Sequence, residues 1–415
     1  MAASSVPIYL DNHATTRLDP RVLEAMLPWL TDHYGNAGSV THEPGREARG
    51  AVDAARGTFA EAIGAAAAEI VFTGGATESN NLALLGAARR WKSLARAGVG
   101  HGHIVTVATE HDAVLDPCDH LERQGVAVTR LSVEPQASTG AAGGIAGRIR
   151  LDELAAALRP DTFLVSVMLA NNEIGVVHDI PAIAAVVHAG GQGTLLHVDC
   201  AQAIGRMPVD VDALGVDLAS FSAHKFHGPK GMGALWLRRR GRVVRVEPLV
   251  YGGGQERGMR SGTLDVPGIV GMAEAARLAA AGLAEEKARM RSLRDRLWRG
   301  LEAAIAGLEL NGPPLDAEVA GQPVRLVNNL NVRVPGVDGQ SLLSLLSAEG
   351  LAVSSGSACS SEQPRPSHVL LALGLDEDQA RASLRFGLSR FTTAAEIDAA
   401  TGRIAVGVAR LKSFA

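Results

Sequence analysis

The chain has 415 residues, 47% hydrophobic and 20% charged, with a formal net charge of -4. That length exceeds one small core and points to two or three domains, and the apolar share is enough for a large globular interior. So small a net charge offers no bulk attraction to nucleic acid, and three widely spaced cysteines (Cys118, Cys200 and Cys359) exclude a disulfide framework or a zinc pattern and fit a reducing cytoplasm.

Met1 to Leu10 lacks a charged start followed by a long apolar run, so no secretory signal is expected. No run of about 18 apolar residues marks a membrane span. Glu69 to Thr73 reads as a strand and Ser79 to Arg90 as a helix; His103 to Ala108 is a second strand. Ala137 to Gly147, rich in Gly and Ala, reads as a surface insertion. Leu151 to Leu158 is helical, Thr162 to Leu169 a strand, Ile180 to His188 a helix, and Thr194 to Asp199 and Leu218 to Ser222 are strands. Strands that are apolar on both faces and alternate with helices predict a mostly parallel sheet covered on each side. The basic run Arg238 to Arg242, ending at Arg245, reads as a solvated turn. Val270 to Ala306 is one long helical connector into a smaller domain, with Leu326 to Val334 as one of its strands.

Five stretches carry chemistry. Phe72-Thr73-Gly74-Gly75-Ala76-Thr77 runs from strand through a Gly-rich turn into a helix, whose first N–H groups form an anion site suited to phosphate. Glu110-His111-Asp112 follows a strand, placing His111 over the crevice where an imidazole can stack on a flat ring and move protons. His101 and His103 have no such context and are expected to be exposed. Asp199 ends an apolar strand, where a buried carboxylate needs a cationic or hydrogen-bonding partner such as a protonated pyridine, and Gln202 follows it to donate to a phenolic oxygen. Ser222-Ala223-His224-Lys225 closes the next strand, and a lysine there can form an imine with an aldehyde cofactor. Cys359 sits among small residues, Ser354-Ser355-Gly356-Ser357-Ala358-Cys359-Ser360-Ser361, unlike a packed cysteine, and can act as a thiolate that hands cargo onward. Cys118 reads as core, and Cys200 as facing away from Asp199's side of the strand.

Together these motifs resemble the NifS/IscS-type cysteine desulfurases, class V enzymes of the fold-type I pyridoxal-phosphate group. The resemblance runs from Tyr9-Leu10-Asp11-Asn12-His13-Ala14-Thr15-Thr16 through Ala170-Asn171-Asn172-Glu173 and Gly252 to Thr263 to Arg385-Phe386-Gly387-Leu388-Ser389-Arg390. It implies an α/β fold: a large cofactor-binding domain over 16–281, and a smaller α+β domain from 1–15 and 282–415 carrying a cysteine loop at about 354–368. It implies that pyridoxal 5'-phosphate is held by Lys225, with Asp199 on the pyridine nitrogen and Gln202 on the phenolic oxygen. Ala76, Thr77, Ser222 and His224 would bind phosphate with Thr263 of a second subunit, which requires a homodimer. His111 would stack and shuttle protons, Asn172 would bind the cofactor and with Arg385 position L-cysteine, and Cys359 would attack its sulfur, leaving alanine. The implied partners are a sulfur acceptor or iron–sulfur scaffold protein, with no nucleic acid or membrane. Selenocysteine lyase, an aminotransferase and a non-catalytic scaffold of the same fold remain alternatives. Ala223 before His224, the missing proline after Asn36 and the Pro-rich Glu362 to Pro366 depart from the family pattern and leave the acceptor open.

Overall fold

The computed structural model describes residues 7–94, 102–136, 144–189, 193–319, 321–355 and 365–413. Cys359, His101 and most of the Ala137 to Gly147 stretch lie outside the described residues. Seven strands form the main sheet: β1 (Ile70–Thr73), β2 (His103–Val107), β3 (Ala127–Leu131), β4 (Thr162–Met168), β5 (Leu195–Asp199), β6 (Leu218–Ser222) and β7 (Gly233–Leu237). Their spatial order is β1-β7-β6-β5-β4-β2-β3. Only β7 runs against its neighbours; the remaining pairings are parallel. The mostly parallel sheet is therefore as expected.

The double-faced strands explain why. Val71, Ile104, Leu164, Leu218 and Leu235 point to one side, into a cluster with Leu82, Leu84 and Val114. Their sequence neighbours Phe72, Val105, Val165, Ala219 and Trp236 point to the other, with Phe59, Phe221, Ile269 and Met272. Alternation of two apolar faces buries the sheet under helices on both sides. Each fully buried side chain of this size contributes about 1.5–3 kcal/mol.

A second core surrounds an antiparallel sheet of Ser383–Gly387, Asn329–Arg333 and Glu309–Leu310, in that order. Leu10, Leu297, Leu301, Leu330, Phe386, Ile397 and Ile404 fill it. Ile8–Tyr9 pairs in parallel with Leu351–Ala352, so the N-terminal strand joins this smaller core. Val369, Leu370 and Leu373, although late in the chain, pack into the larger one.

Several expectations change. The single connector is two helices, Val266–Ala281 and Leu283–Ala304, bent by 75° at Gly282. An Ala-rich apolar helix gives way there to a charged one, but both keep a helical pattern, so periodicity alone does not mark the break. β3 escaped notice because it is only half-buried, and β7 because it opens on a glycine. His103 is not exposed. It lies fully buried in β2, its ring nitrogens paired with Thr162 Oγ1 at 2.8 Å and Thr129 Oγ1 at 2.9 Å. The threonines of adjacent strands satisfy an imidazole that the sequence shows only as polar.

Candidate active site

The C-terminal ends of β1, β2, β4, β5 and β6 all open into one cavity of about 400 Å³. This is where a parallel sheet offers its loops and helix N-termini to a ligand. Ala76, Thr77, His111, Asn172, Asp199, Gln202, Ser222, His224 and Lys225 line it together.

Each wall follows from local structure. Gly75, at φ 143°, turns the chain from β1 into the helix Ala76–Leu94, a backbone state that a side chain would strain. The helix begins at the cavity wall with Ala76 and Thr77, and its first amides have no partner within the helix. A Cβ on Gly233 would fall 2.6 Å from Gly75's Cα, so β7 and the turn approach backbone to backbone. His111 caps the helix Asp112–Arg123, its Nδ1 accepting from the Ala113 amide at 3.0 Å. That places a neutral ring's proton on Nε2.

Asp199 is nearly buried at the end of β5. Its carboxylate accepts from Asn80 Nδ2 at 2.7 Å and from the Ala201 amide at 2.8 Å. Asn80 Oδ1 is buried without a partner, turned so that its amide serves the carboxylate. One strand over, the Lys225 amine donates to the carbonyls of His13 at 2.6 Å and Ala14 at 2.7 Å. His224 Nδ1 pairs with Thr15 Oγ1 at 3.1 Å, and burial, reinforced by Lys225 and Lys230, pushes the ring's pKa down to about 4. A neutral His224 can thus donate to an anion without adding charge.

A cradle of helix amides and hydroxyls, a buried carboxylate and a primary amine share one crevice. The class-V aminotransferase family matches residues 8–400. The cysteine desulfurase IscS of Anaeromyxobacter sp. (strain K) is 50% identical over 409 residues, covering 99% of this chain and 94% of that protein. This chain belongs to the class-V aminotransferase family, in its cysteine desulfurase branch. Among solved structures, a NifS-like protein superimposes with a TM-score of 0.86 at 38% identity, covering 98% of this chain and all of that one. A structure described as SspA in complex with cysteine gives a TM-score of 0.75 at 34% identity, covering 93% and 99%.

Against this desulfurase frame, two anticipated residues stand apart from the cavity. Thr263 is exposed on the loop before the helix Val266–Ala281 and does not line this chain's own cavity. Arg385 is buried in the smaller sheet, with Nη2 on Asp11 Oδ1 at 2.8 Å and Nη1 on the Asn172 carbonyl at 3.2 Å. It reaches the cavity wall through Asn172 rather than lining it. Cys359 is outside the described residues. The other two cysteines are inert by placement: burial pushes the Cys118 thiol up to about 12, and Cys200, buried in the core behind Asp199, is also raised by burial and by that carboxylate.

Sequence reasoning missed His13, Asn80, Glu110 and Lys230. His13 is wholly buried, and burial, with Arg206 next, holds its pKa well below the usual range. Its neutral ring donates from Nδ1 to Gln202 Oε1 and accepts at Nε2 from Asn329 Nδ2, both at 3.2 Å. Gln202 returns a hydrogen bond from Nε2 to the His13 carbonyl at 3.0 Å. Glu110 is buried, its Oε1 accepting from the Met168 amide at 2.6 Å; burial and then Asp199 raise its pKa well above that of an ordinary carboxyl. His13 and Glu110 lay inside motifs already singled out, but only tertiary contacts show what they touch.

Proposed function

We propose that this protein removes the sulfur of L-cysteine, releases L-alanine and takes the sulfur onto Cys359 as a persulfide. The observation that carries this reading is one cavity holding the Lys225 amine, the buried Asp199 carboxylate and an amide-rich anion cradle, in a chain half identical to cysteine desulfurases. That donor set fits pyridoxal phosphate. Lys225 would hold its aldehyde carbon, Asp199 its pyridine nitrogen, Gln202 its phenolic oxygen, and Thr77, Ser222, His224 and the helix amides its phosphate. When bound, the cofactor supplies an electron sink that loosens bonds to the amino acid's α-carbon.

The chain's own residues do the rest. Asn80 and the Ala201 amide hold the Asp199 carboxylate in place at the cavity wall. Lys225 Nζ takes the substrate's α-proton, and His111 Nε2 moves a proton at the cavity wall. Asn172, on the cavity wall, positions the substrate, and Arg385 supports it by donating to the Asn172 carbonyl. The Cys359 thiolate forms an S–S bond to the substrate sulfur as the C–S bond breaks. The electron pair of that bond and a proton end on the carbon skeleton, which leaves as alanine. A solved relative described as bound to cysteine supports the substrate.

A homodimer completes the reading. Leu23, Leu27, Leu30 and Tyr34 on and after the helix Pro20–Leu30 are exposed, as are Val250 and Tyr251 beside the loop that carries Thr263. Pairing two copies there covers apolar surface and brings Thr263 toward the other subunit's phosphate site. Residues 16–281 are proposed as the cofactor domain, and 1–15 with 282–415 as the domain presenting the thiol. Among the described residues no single helix is long and apolar enough to cross a membrane; a cytoplasmic location and transfer to an acceptor or iron–sulfur scaffold protein are part of the proposal. The test is direct: the cofactor-loaded enzyme given cysteine should release alanine and gain one sulfur on Cys359, and Cys359→Ser should keep the cofactor absorbance and lose both. Release of alanine and sulfur by Cys359→Ser at the wild-type rate would exclude the nucleophile.

A further inference from the structure

The two stretches that flank Cys359 in the chain belong to different cores. Leu351, upstream, packs in the smaller one, and Val369 and Leu370, downstream, in the larger. Upstream, Ser354 is held by two backbone hydrogen bonds to Arg385, at 2.6 and 3.3 Å. Downstream, two side chains fasten the chain. Ser367 Oγ donates to Glu173 Oε2 at 2.5 Å, and His368 Nε2 pairs with the Glu110 carbonyl at 2.9 Å. A carbonyl only accepts, so the imidazole proton sits on Nε2.

The residues receiving these bonds are not arbitrary surface. Glu110 immediately precedes His111, and Glu173 immediately follows Asn172, both on the cavity wall. The two loops are also laced to each other. Asn171 Nδ2 donates to the Thr109 carbonyl at 3.0 Å, while Asn171 Oδ1 accepts from the Glu173 and Ile174 amides at 2.8 and 2.9 Å. Glu110 Oε1 accepts from the Met168 amide at 2.6 Å at the end of β4. The ends of β2 and β4 thus form one hydrogen-bonded platform, and His368 and Ser367 link it to the stretch leading back to Cys359.

We propose that His368 is a positioning residue for sulfur transfer: its Nε2–H bond to the Glu110 carbonyl, assisted by Ser367 on Glu173, seats the downstream foot of the Cys359 segment on the platform that presents His111 and Asn172. The inference rests on Cys359 being the sulfur acceptor. The physical reason is that a thiol carried between two anchors attacks productively only when those anchors sit in register with the bound substrate. Loosening one anchor lowers the fraction of productive geometries without altering the cavity, and small misplacements of reacting atoms cost on the order of 10²-fold in rate.

His368→Ala and His368→Gln, compared with wild type as cofactor-loaded enzyme, test this. The glutamine keeps a terminal N–H donor. Two quantities are read on each: the cysteine concentration that half-saturates the change in cofactor absorbance, and the single-turnover rate of sulfur gain at Cys359 by mass spectrometry. The expected result is an unchanged half-saturation for all three proteins, a persulfide rate about 10- to 100-fold lower in His368→Ala, and recovery of most of that loss in His368→Gln. Should the alanine variant fail to fold, His368→Gln and Ser367→Ala carry the comparison, the latter with a smaller loss in the same measurement. A wild-type persulfide rate in a folded His368→Ala overturns the proposal and leaves the function intact. Equal slowing in alanine and glutamine variants, or a weakened cysteine response in both, also overturns it, because the ring would then act through packing or the cavity. Wild-type enzyme that gains no sulfur at Cys359 defeats the function reading, and this inference with it.

Discussion

The seven-stranded sheet and the three-stranded sheet spend their polar residues differently. At the C-terminal ends of β5 and β6, Asp199, Ser222, His224 and Lys225 turn their side chains toward a shared cavity. In the smaller sheet, Asn329, Asn331 and Arg385 point back at the main chain of the larger unit. Asn329 and Asn331 donate to the Glu173 carbonyl at 2.9 and 3.1 Å, and Arg385 donates to that of Asn172. One region presents chemistry; the other grips the loop that borders it. The difference teaches that a buried polar group in the second unit can bear on the cavity without lining it, by fixing the loop that does.

The sharpest way to break this division is Lys225→Ala. If the larger sheet holds the chemistry, cysteine turnover should fall on the order of 10²–10⁴-fold or more, with loss of the covalently held cofactor's absorbance and little change in thermal stability. A variant that keeps both colour and alanine release would move the chemistry elsewhere.

Next in size is Phe386→Ala, which hollows the smaller core, where Phe386 is fully buried. A loss of about 3–5 kcal/mol is expected in denaturant unfolding. If the two cores are separately cooperative, calorimetry should show one transition displaced and the other retained; a single transition moving as a whole would mean the units melt together.

Acid should discriminate in the opposite sense. Burial pushes His178, His197 and His227 down to about 3, and all three belong to the larger unit, whereas residues 1–15 and 282–415 contribute one ring lowered by burial, His13. Their folded pKa values lie below the unfolded value of about 6.5, so the unfolded chain binds the extra protons. Stability is thus intact above that pH and falls as pH drops toward 3, by roughly 1.4 kcal/mol per pH unit for each ring while it titrates only in the unfolded state. Unfolding midpoints measured at successive pH values check this. Replacing His197, which sits between Ser166 Oγ at 2.8 Å and Ser220 Oγ at 2.9 Å, by Gln should flatten the slope.

The smallest effect tests the side-chain hydrogen bond that holds Asp199. Asn80→Ala removes a buried donor to its Oδ2 and should cost about 1–3 kcal/mol, read as weaker retention of pyridoxal phosphate on dialysis. Unchanged retention would mean the Ala201 amide alone suffices.

By itself, the sequence determined the sheet class and most of the cavity. Apolar runs at strand length, each followed by Gly, Asp or small polar residues, predict parallel strands whose ends carry function, and such patterns are local. It also marked Cys118 as core, Cys200 as facing away from Asp199's side of the strand and Lys225 as an amine at a strand end. Only the tertiary structure decided what depends on distant partners. His103 is buried because Thr129 and Thr162 of neighbouring strands satisfy it. His13 and Asn80 serve the cavity because chain segments roughly opposite in sequence meet there. The long connector bends at Gly282 because the two cores require it. Periodicity encodes which face a residue turns inward, but hydrogen-bond satisfaction across elements is settled only when those elements pack.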